Sequence, residues 1–175
     1  MNDPDKKNRY VAPEKEEDIK IVDNETYLSV FEELIKQGRT VRIPVSGGSM
    51  TPFLIHRRDC VFLSPADSPL KKGDVVMYTR ESGQYVLHRI VRVRKDGLFD
   101  ICGDAQQDIE RGVKRENIFA RADAIERKGK LIYPKSLFWW FFAKVWCRVI
   151  PLRHCLMKLY RSLAGIKSKI ARTDI

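Results

Sequence analysis

Val75-Val-Met-Tyr-Thr-Arg-Glu-Ser-Gly-Gln-Tyr-Val-Leu-His-Arg-Ile-Val91 holds two apolar, β-branched and aromatic runs on either side of Ser82-Gly83. Two such runs around a glycine turn predict a β-hairpin, with strands over Val75–Thr79 and Gln84–Arg94. The same texture extends both ways. Thr40–Val45 and Cys60–Leu63 precede the hairpin, and Leu98–Cys102, Ile118–Arg127 and Leu131–Tyr133 follow it. Lys72-Gly-Asp74, Asp96-Gly97 and Gly129 supply the turns between runs. The predicted fold class is mainly β, a hairpin-rich sheet domain.

Two other textures flank the strands. Tyr27, Leu28, Phe31, Leu34 and Ile35 recur at helical spacing, Asn24 can cap that helix, and Gly38 can stop it after Gln37. Residues 1–23 are polar and predict a loosely ordered arm, with no apolar core of a signal peptide. From Ser136 the chain changes again: Leu137-Phe-Trp-Trp-Phe-Phe-Ala143 is continuously apolar, then Lys144 and Arg148 share one helical face. Pro151 interrupts, and a second basic amphipathic segment is expected from Leu152 to Ile170. The organisation read from the chain is an arm at 1–23, a β domain at 24–135 and a helical tail at 136–175.

The charge follows that division. The net charge is +10, yet residues 1–125 hold 21 basic and 21 acidic residues, while residues 126–175 hold 12 basic residues against Glu126 and Asp174. A basic tail seeks an anionic partner. Aromatics interleaved with Lys and Arg fit a helix lying in lipid headgroups, so an anionic membrane surface is expected at 136–170. The bland alternative packs the aromatic run on the β domain as core. Nucleic acid is not expected, because no recognition motif accompanies the charge. No run reaches the ~20 apolar residues of a spanning helix, so the expected location is cytoplasmic and peripheral on the membrane. Cys60, Cys102, Cys147 and Cys155 form no close pair and with three histidines build no metal site; they read as free thiols, and no cofactor is expected.

Three short motifs carry chemistry. Ser46-Gly-Gly-Ser-Met-Thr-Pro52 sets Ser49 in a glycine-rich turn, where Gly47 and Gly48 allow close backbone approach and N–H groups can face an oxyanion. Leu87-His-Arg-Ile90 places His88 on a strand, and an imidazole can accept a serine proton at neutral pH. Cys102-Gly-Asp104 supplies a carboxylate after a glycine. Each has an ordinary alternative: a serine capping a turn, a core histidine, a turn aspartate. Arg89, on the opposite strand face from His88, is expected in solvent, as are Arg57, Arg58, Asp59, His56 and His154.

Taken in order, Val45-Ser-Gly-Gly-Ser-Met-Thr-Pro52, Gly73-Asp-Val-Val-Met-Tyr78 and Gly83-Gln-Tyr-Val-Leu-His-Arg-Ile-Val91 resemble the superfamily of signal peptidases and self-cleaving repressors, across residues 40–128. A histidine at the base position resembles the archaeal, endospore-former and ER-type branch. The resemblance implies a coiled β-sheet peptidase domain. It implies Ser49 as nucleophile, His88 as base and Asp104 as the carboxylate orienting it, with Asp108 second in line; Asp108 and Glu110 stand where the family has further acids, at slightly different spacing. It further implies Gly47, Gly48 and Met50 around the oxyanion and substrate, and an extended peptide or protein precursor as substrate. The chain departs from the pattern in having a polar helix, not a membrane helix, ahead of the serine, and Gly47 two residues before Ser49. A non-catalytic peptide-binding or regulatory module on the same fold is the other reading. A single helix ahead of the sheet cannot make the helix-turn-helix such a regulator would carry.

Overall fold

The computed structural model describes residues 24–160 and Ser162. The arm expected at 1–23 and the tail beyond Ser162 lie outside the described residues. Helix α1 (Asn24–Lys36) ends as its sequence predicts. Gly38, at φ 82°, lets the Gly38 and Arg39 N–H groups turn back onto the Ile35 and Leu34 carbonyls, at 2.8 and 3.1 Å. That closure satisfies two carbonyls the helix end would leave bare.

The strands are β1 (Val41–Pro44), β2 (Cys60–Pro65), β3 (Val75–Thr79), β4 (Tyr85–Val93), β5 (Phe99–Cys102), β6 (Glu110–Val113), β7 (Ile118–Arg127) and β8 (Lys130–Ile132). They form one antiparallel sheet in the order β1-β2-β7-β3-β4-β5-β6, with β8 also on β7. The β3–β4 hairpin has the expected register, pairing Val76 with His88 and Thr79 with Tyr85. The expected strands are present within a residue or two; β6 was not anticipated.

Both faces of this sheet are covered. Val76 and Tyr78 of β3 face one apolar cluster with Val86, Ile90, Phe99 and Ile101. Val75 and Met77 face the other, which takes in Ile35 of α1 and Trp139, Phe142, Trp146 and Met157 of the C-terminal segment. Strands buried on two faces carry no polar alternation, so the second face is invisible to a half-exposed strand reading.

The C-terminal segment is therefore partly core. Helix α2 (Leu137–Lys144) starts on Ser136, whose Oγ accepts the Trp139 N–H at 3.2 Å. Its inner side packs Phe138, Trp139 and Phe142 around Phe53, with ring centroids 5.5, 5.2 and 5.1 Å away. Two single 3-10 turns, Trp146–Arg148 and Ile150–Leu152, lead into a helix α3 over 153–160. Two further expectations are corrected here. Arg89 is fully buried and not solvated, because α2 and Phe53 cover its face of the sheet; its guanidinium lies 4.3 Å from the Phe53 ring centroid. Asp59 is buried as well, accepting from the Ile55 N–H and pairing with Arg58.

Candidate active site

Ser49 lies in the turn between β1 and β2. The turn is pinned from inside by Met50, Phe53 and Leu54, all buried. Within it the Thr51 N–H reaches the Gly48 carbonyl at 3.1 Å and the Leu54 N–H reaches the Met50 carbonyl at 2.9 Å. Gly47 holds a φ of 83°, a region unfavourable to any residue with a Cβ, and donates its N–H to His56 Nδ1 at 3.0 Å. His56 is exposed, as expected, yet it ties down the entrance to the serine turn. From the other side, the Ala105 N–H donates to the Ser49 carbonyl at 2.7 Å. A Cβ on Gly103 would sit 2.7 Å from that same oxygen, so glycine is required there for the two loops to meet. Among the described residues, neither the Ser49 hydroxyl nor the Ser49 N–H has a hydrogen-bond partner.

His88, on β4, is 2% exposed. Its Nδ1 lies 3.5 Å from the Tyr78 hydroxyl and 3.6 Å from Glu110 Oε1. Tyr78 comes from the neighbouring strand and Glu110 opens β6. Glu110 is held by an ion pair from Arg80 and by the Tyr78 hydroxyl, and both keep its carboxyl below the usual range. Burial, opposed by the Glu110 charge, pushes the His88 pKa down to about 4. Burial first, then Glu110, also holds the Tyr78 phenol well above its ordinary value. His88 is thus a neutral imidazole at neutral pH. An Nδ1–H turned toward Tyr78 and Glu110 leaves the Nε2 lone pair available as an acceptor.

Ser49 and His88 both line one cleft of about 310 Å³. Ile43, Met77 and Leu87 give it apolar walls, and Gln106 closes one side. Gly47 and Met50, two of the expected oxyanion and substrate residues, also line it. Gly48 contributes its carbonyl to the turn. Among the described residues no hydrogen bond joins Ser49 to His88.

Asp104 is placed differently from expectation. It is fully buried, and its carboxylate accepts from Arg89 Nε at 3.0 and 3.2 Å and from Arg89 Nη2 at 2.7 Å. Arg153 Nη2 stands 4.0 Å away on the other side. Its charge still favours the protonated form of His88 from a distance, but the groups at Nδ1 are Tyr78 and Glu110. Asp108 is exposed and borders a second cavity, with His154 and Lys158, that Ser49 does not line.

The Gly103–Gln106 loop that touches Ser49 is clamped from behind by the C-terminal segment. Arg153 Nη1 donates to the Gly103 and Gln106 carbonyls at 2.8 and 3.1 Å, and Arg153 Nη2 to the Trp146 carbonyl at 3.1 Å. The Trp146 indole N–H donates to the Asp104 carbonyl at 2.7 Å. Tyr78 and Arg153 are site residues with no signal in the sequence, and Glu110, expected only as one of the further acids downstream, is the carboxylate that stands at His88. A scan of the chain finds no matching family model, and no curated protein matches it.

Proposed function

We propose that this protein is a serine endopeptidase of the signal-peptidase type, cutting an extended peptide or precursor segment. The observation that carries the proposal is the shared cleft. It unites a serine whose hydroxyl and N–H have no partner among the described residues with a neutral, buried histidine oriented through Nδ1. The Ser49 hydroxyl attacks the scissile carbonyl while His88 Nε2 takes its proton. The Ser49 N–H supports the oxyanion, and His88 returns the proton to the leaving amine. A water, activated by the same imidazole, then frees the acyl group. Glu110 and Tyr78 hold the imidazole and stabilise its charged form during the step.

The substrate would lie along β1, whose outer edge is open in the strand order and whose Ile43 and Pro44 border the cleft. Strand addition there supplies backbone affinity, and the apolar wall selects small apolar side chains before the cut. The coiled-sheet peptidase fold implied by the resemblance belongs to this same proposal. It rests on the eight-stranded sheet and on the order of the serine, Gly-Asp-Val-Val and histidine motifs.

The test is cleavage of a pool of small peptides and precursors, with Ser49→Ala and His88→Ala as comparisons. Each substitution should lower kcat/KM by roughly 10³-fold or more while circular dichroism stays unchanged. Cleavage that survives Ser49→Ala removes the assignment. Peptide binding without any cleavage by the wild type would instead favour a binding module.

A further inference from the structure

Helix α2 is apolar on both sides, and only one of them is used by the core. Trp139 and Phe142 are buried, at 3% and 5% exposure. Leu137, Trp140 and Phe141 point outward at 84%, 52% and 41%. Those three stand at i, i+3 and i+4, and exposed Lys144 continues the stripe at i+7. An exposed Leu, Trp and Phe in one stripe is a grouped apolar face, unlike scattered surface apolar residues.

We infer that the outer face of α2 docks on an anionic lipid surface. The charge around the stripe identifies the occupant. Lys135 precedes the helix, Lys144 ends it and Arg148 lies one turn on, all exposed. The sequence from Arg127 to Thr173 contains no acidic residue. An apolar stripe with a tryptophan, flanked only by cations, matches a headgroup layer: acyl chains receive Leu137, Trp140 and Phe141, and anionic headgroups receive the cations. A second copy of the chain fits poorly. A two-fold contact sets the same patch against itself and would bring Lys135, Lys144 and Arg148 against like charges. The helix is held from within by the Phe53 cluster, so the outer stripe is presented on a rigid support. This inference does not depend on the chemistry of Ser49.

The experiment is co-sedimentation of the full chain with vesicles of phosphatidylcholine alone or mixed with phosphatidylglycerol. Trp140, the one half-exposed tryptophan of three, reports insertion by a blue shift and by loss of quenching by acrylamide. Binding is expected on the mixed vesicles and to weaken with salt. The triple substitution Leu137→Ser, Trp140→Ser, Phe141→Ser should reduce it roughly tenfold or more, since it removes the inserted apolar groups. All three positions are exposed, but the Phe141 ring also packs on Phe142 and Trp146 at 5.4 and 6.3 Å, so circular dichroism checks the fold, and Leu137→Ser with Trp140→Ser, which spares that packing, should weaken binding in the same direction. Lys135→Glu with Lys144→Glu, which leaves the apolar stripe intact, should reduce binding to the mixed vesicles alone. Equal binding by the triple variant overturns the inference. So does a dimer in gel filtration that the triple variant dissolves, with no vesicle binding by the wild type.

Discussion

His88 and Asp104 illustrate how one residue's partner decides its role. Burial lowers the His88 pKa to about 4, below the ordinary ~6.5 of a free imidazole. The neutral base therefore persists as pH falls through 6 and 5 and is lost near 4. On the proposed chemistry the acid limb of kcat/KM should lie near pH 4, and the stability linked to a neutral His88 should fade as pH drops from ~6.5 toward 4. Glu110 raises this pKa, so Glu110→Gln should move the acid limb lower still. It should also cut kcat, by about tenfold, through loss of imidazole orientation, with little change in Tm. Asp104→Asn should behave oppositely. It leaves Arg89 buried without its counter-charge, so the expected loss is about 3 kcal/mol of stability with a smaller effect on the pH profile. Thermal melts and pH–rate profiles of the two variants separate the roles. An acid limb that moves lower in Asp104→Asn and stays put in Glu110→Gln would return the orienting role to Asp104.

At the scale of elements, the Gly103–Gln106 loop is a wedge between the serine turn and the C-terminal segment. Arg153 saturates carbonyls of that loop and has no exposure of its own. Arg153→Met should strand buried carbonyls, lowering stability by about 3 kcal/mol. It should also loosen the loop that donates to the Ser49 carbonyl. Cys102 is a reporter for this: its thiol lies 3.5 Å from Arg153 Nη1, and burial pushes its pKa up to about 11. In the wild type, iodoacetamide should label exposed Cys155 quickly and Cys102 only upon unfolding. In Arg153→Met, labelling of Cys102 under native conditions should accelerate; an unchanged rate would mean the loop keeps its place without the arginine. This layer leaves little trace in local sequence. The β3–β4 hairpin, α1 and its Gly38 stop follow from local spacing and turn chemistry, and the structure matches them. Strand β6, Glu-Arg-Gly-Val, has no apolar alternation, because Glu110 is spent on Arg80 and His88 and Gly112 sits at positive φ where the register with β5 shifts. Arg89 read as solvated because alternation assumes one wet face, and only the tertiary docking of α2 dries the other. Glu110 became a partner of His88 through strand pairing across β4, β5 and β6, which no local pattern encodes.

At the scale of the molecule, Phe53 links the cleft to the outer face of α2. It follows Ser49 by four residues and packs on the inner side of the helix whose outer side carries Leu137 and Trp140. One helix, about 10 Å across, thus separates the serine turn from the proposed lipid-facing stripe. Among the described residues no helix is long and apolar enough to cross a membrane. Docking through the one exposed face of α2 would be reversible. That geometry has a kinetic consequence. A peptide tethered to the same vesicle meets the cleft at an effective concentration set by the surface, whereas a free peptide meets it at its bulk concentration. On phosphatidylglycerol-containing vesicles, a lipid-tethered peptide should be cut at least about tenfold faster than the same free peptide at equal low bulk concentration. The advantage should shrink at high salt and vanish in the Leu137→Ser, Trp140→Ser, Phe141→Ser variant, while free-peptide turnover stays unchanged. If the variant lost activity on the free peptide too, α2 would be acting through the fold and not through the membrane. If the wild type cut both peptides at one rate while still binding vesicles, docking and cleavage would be separate properties of the same chain.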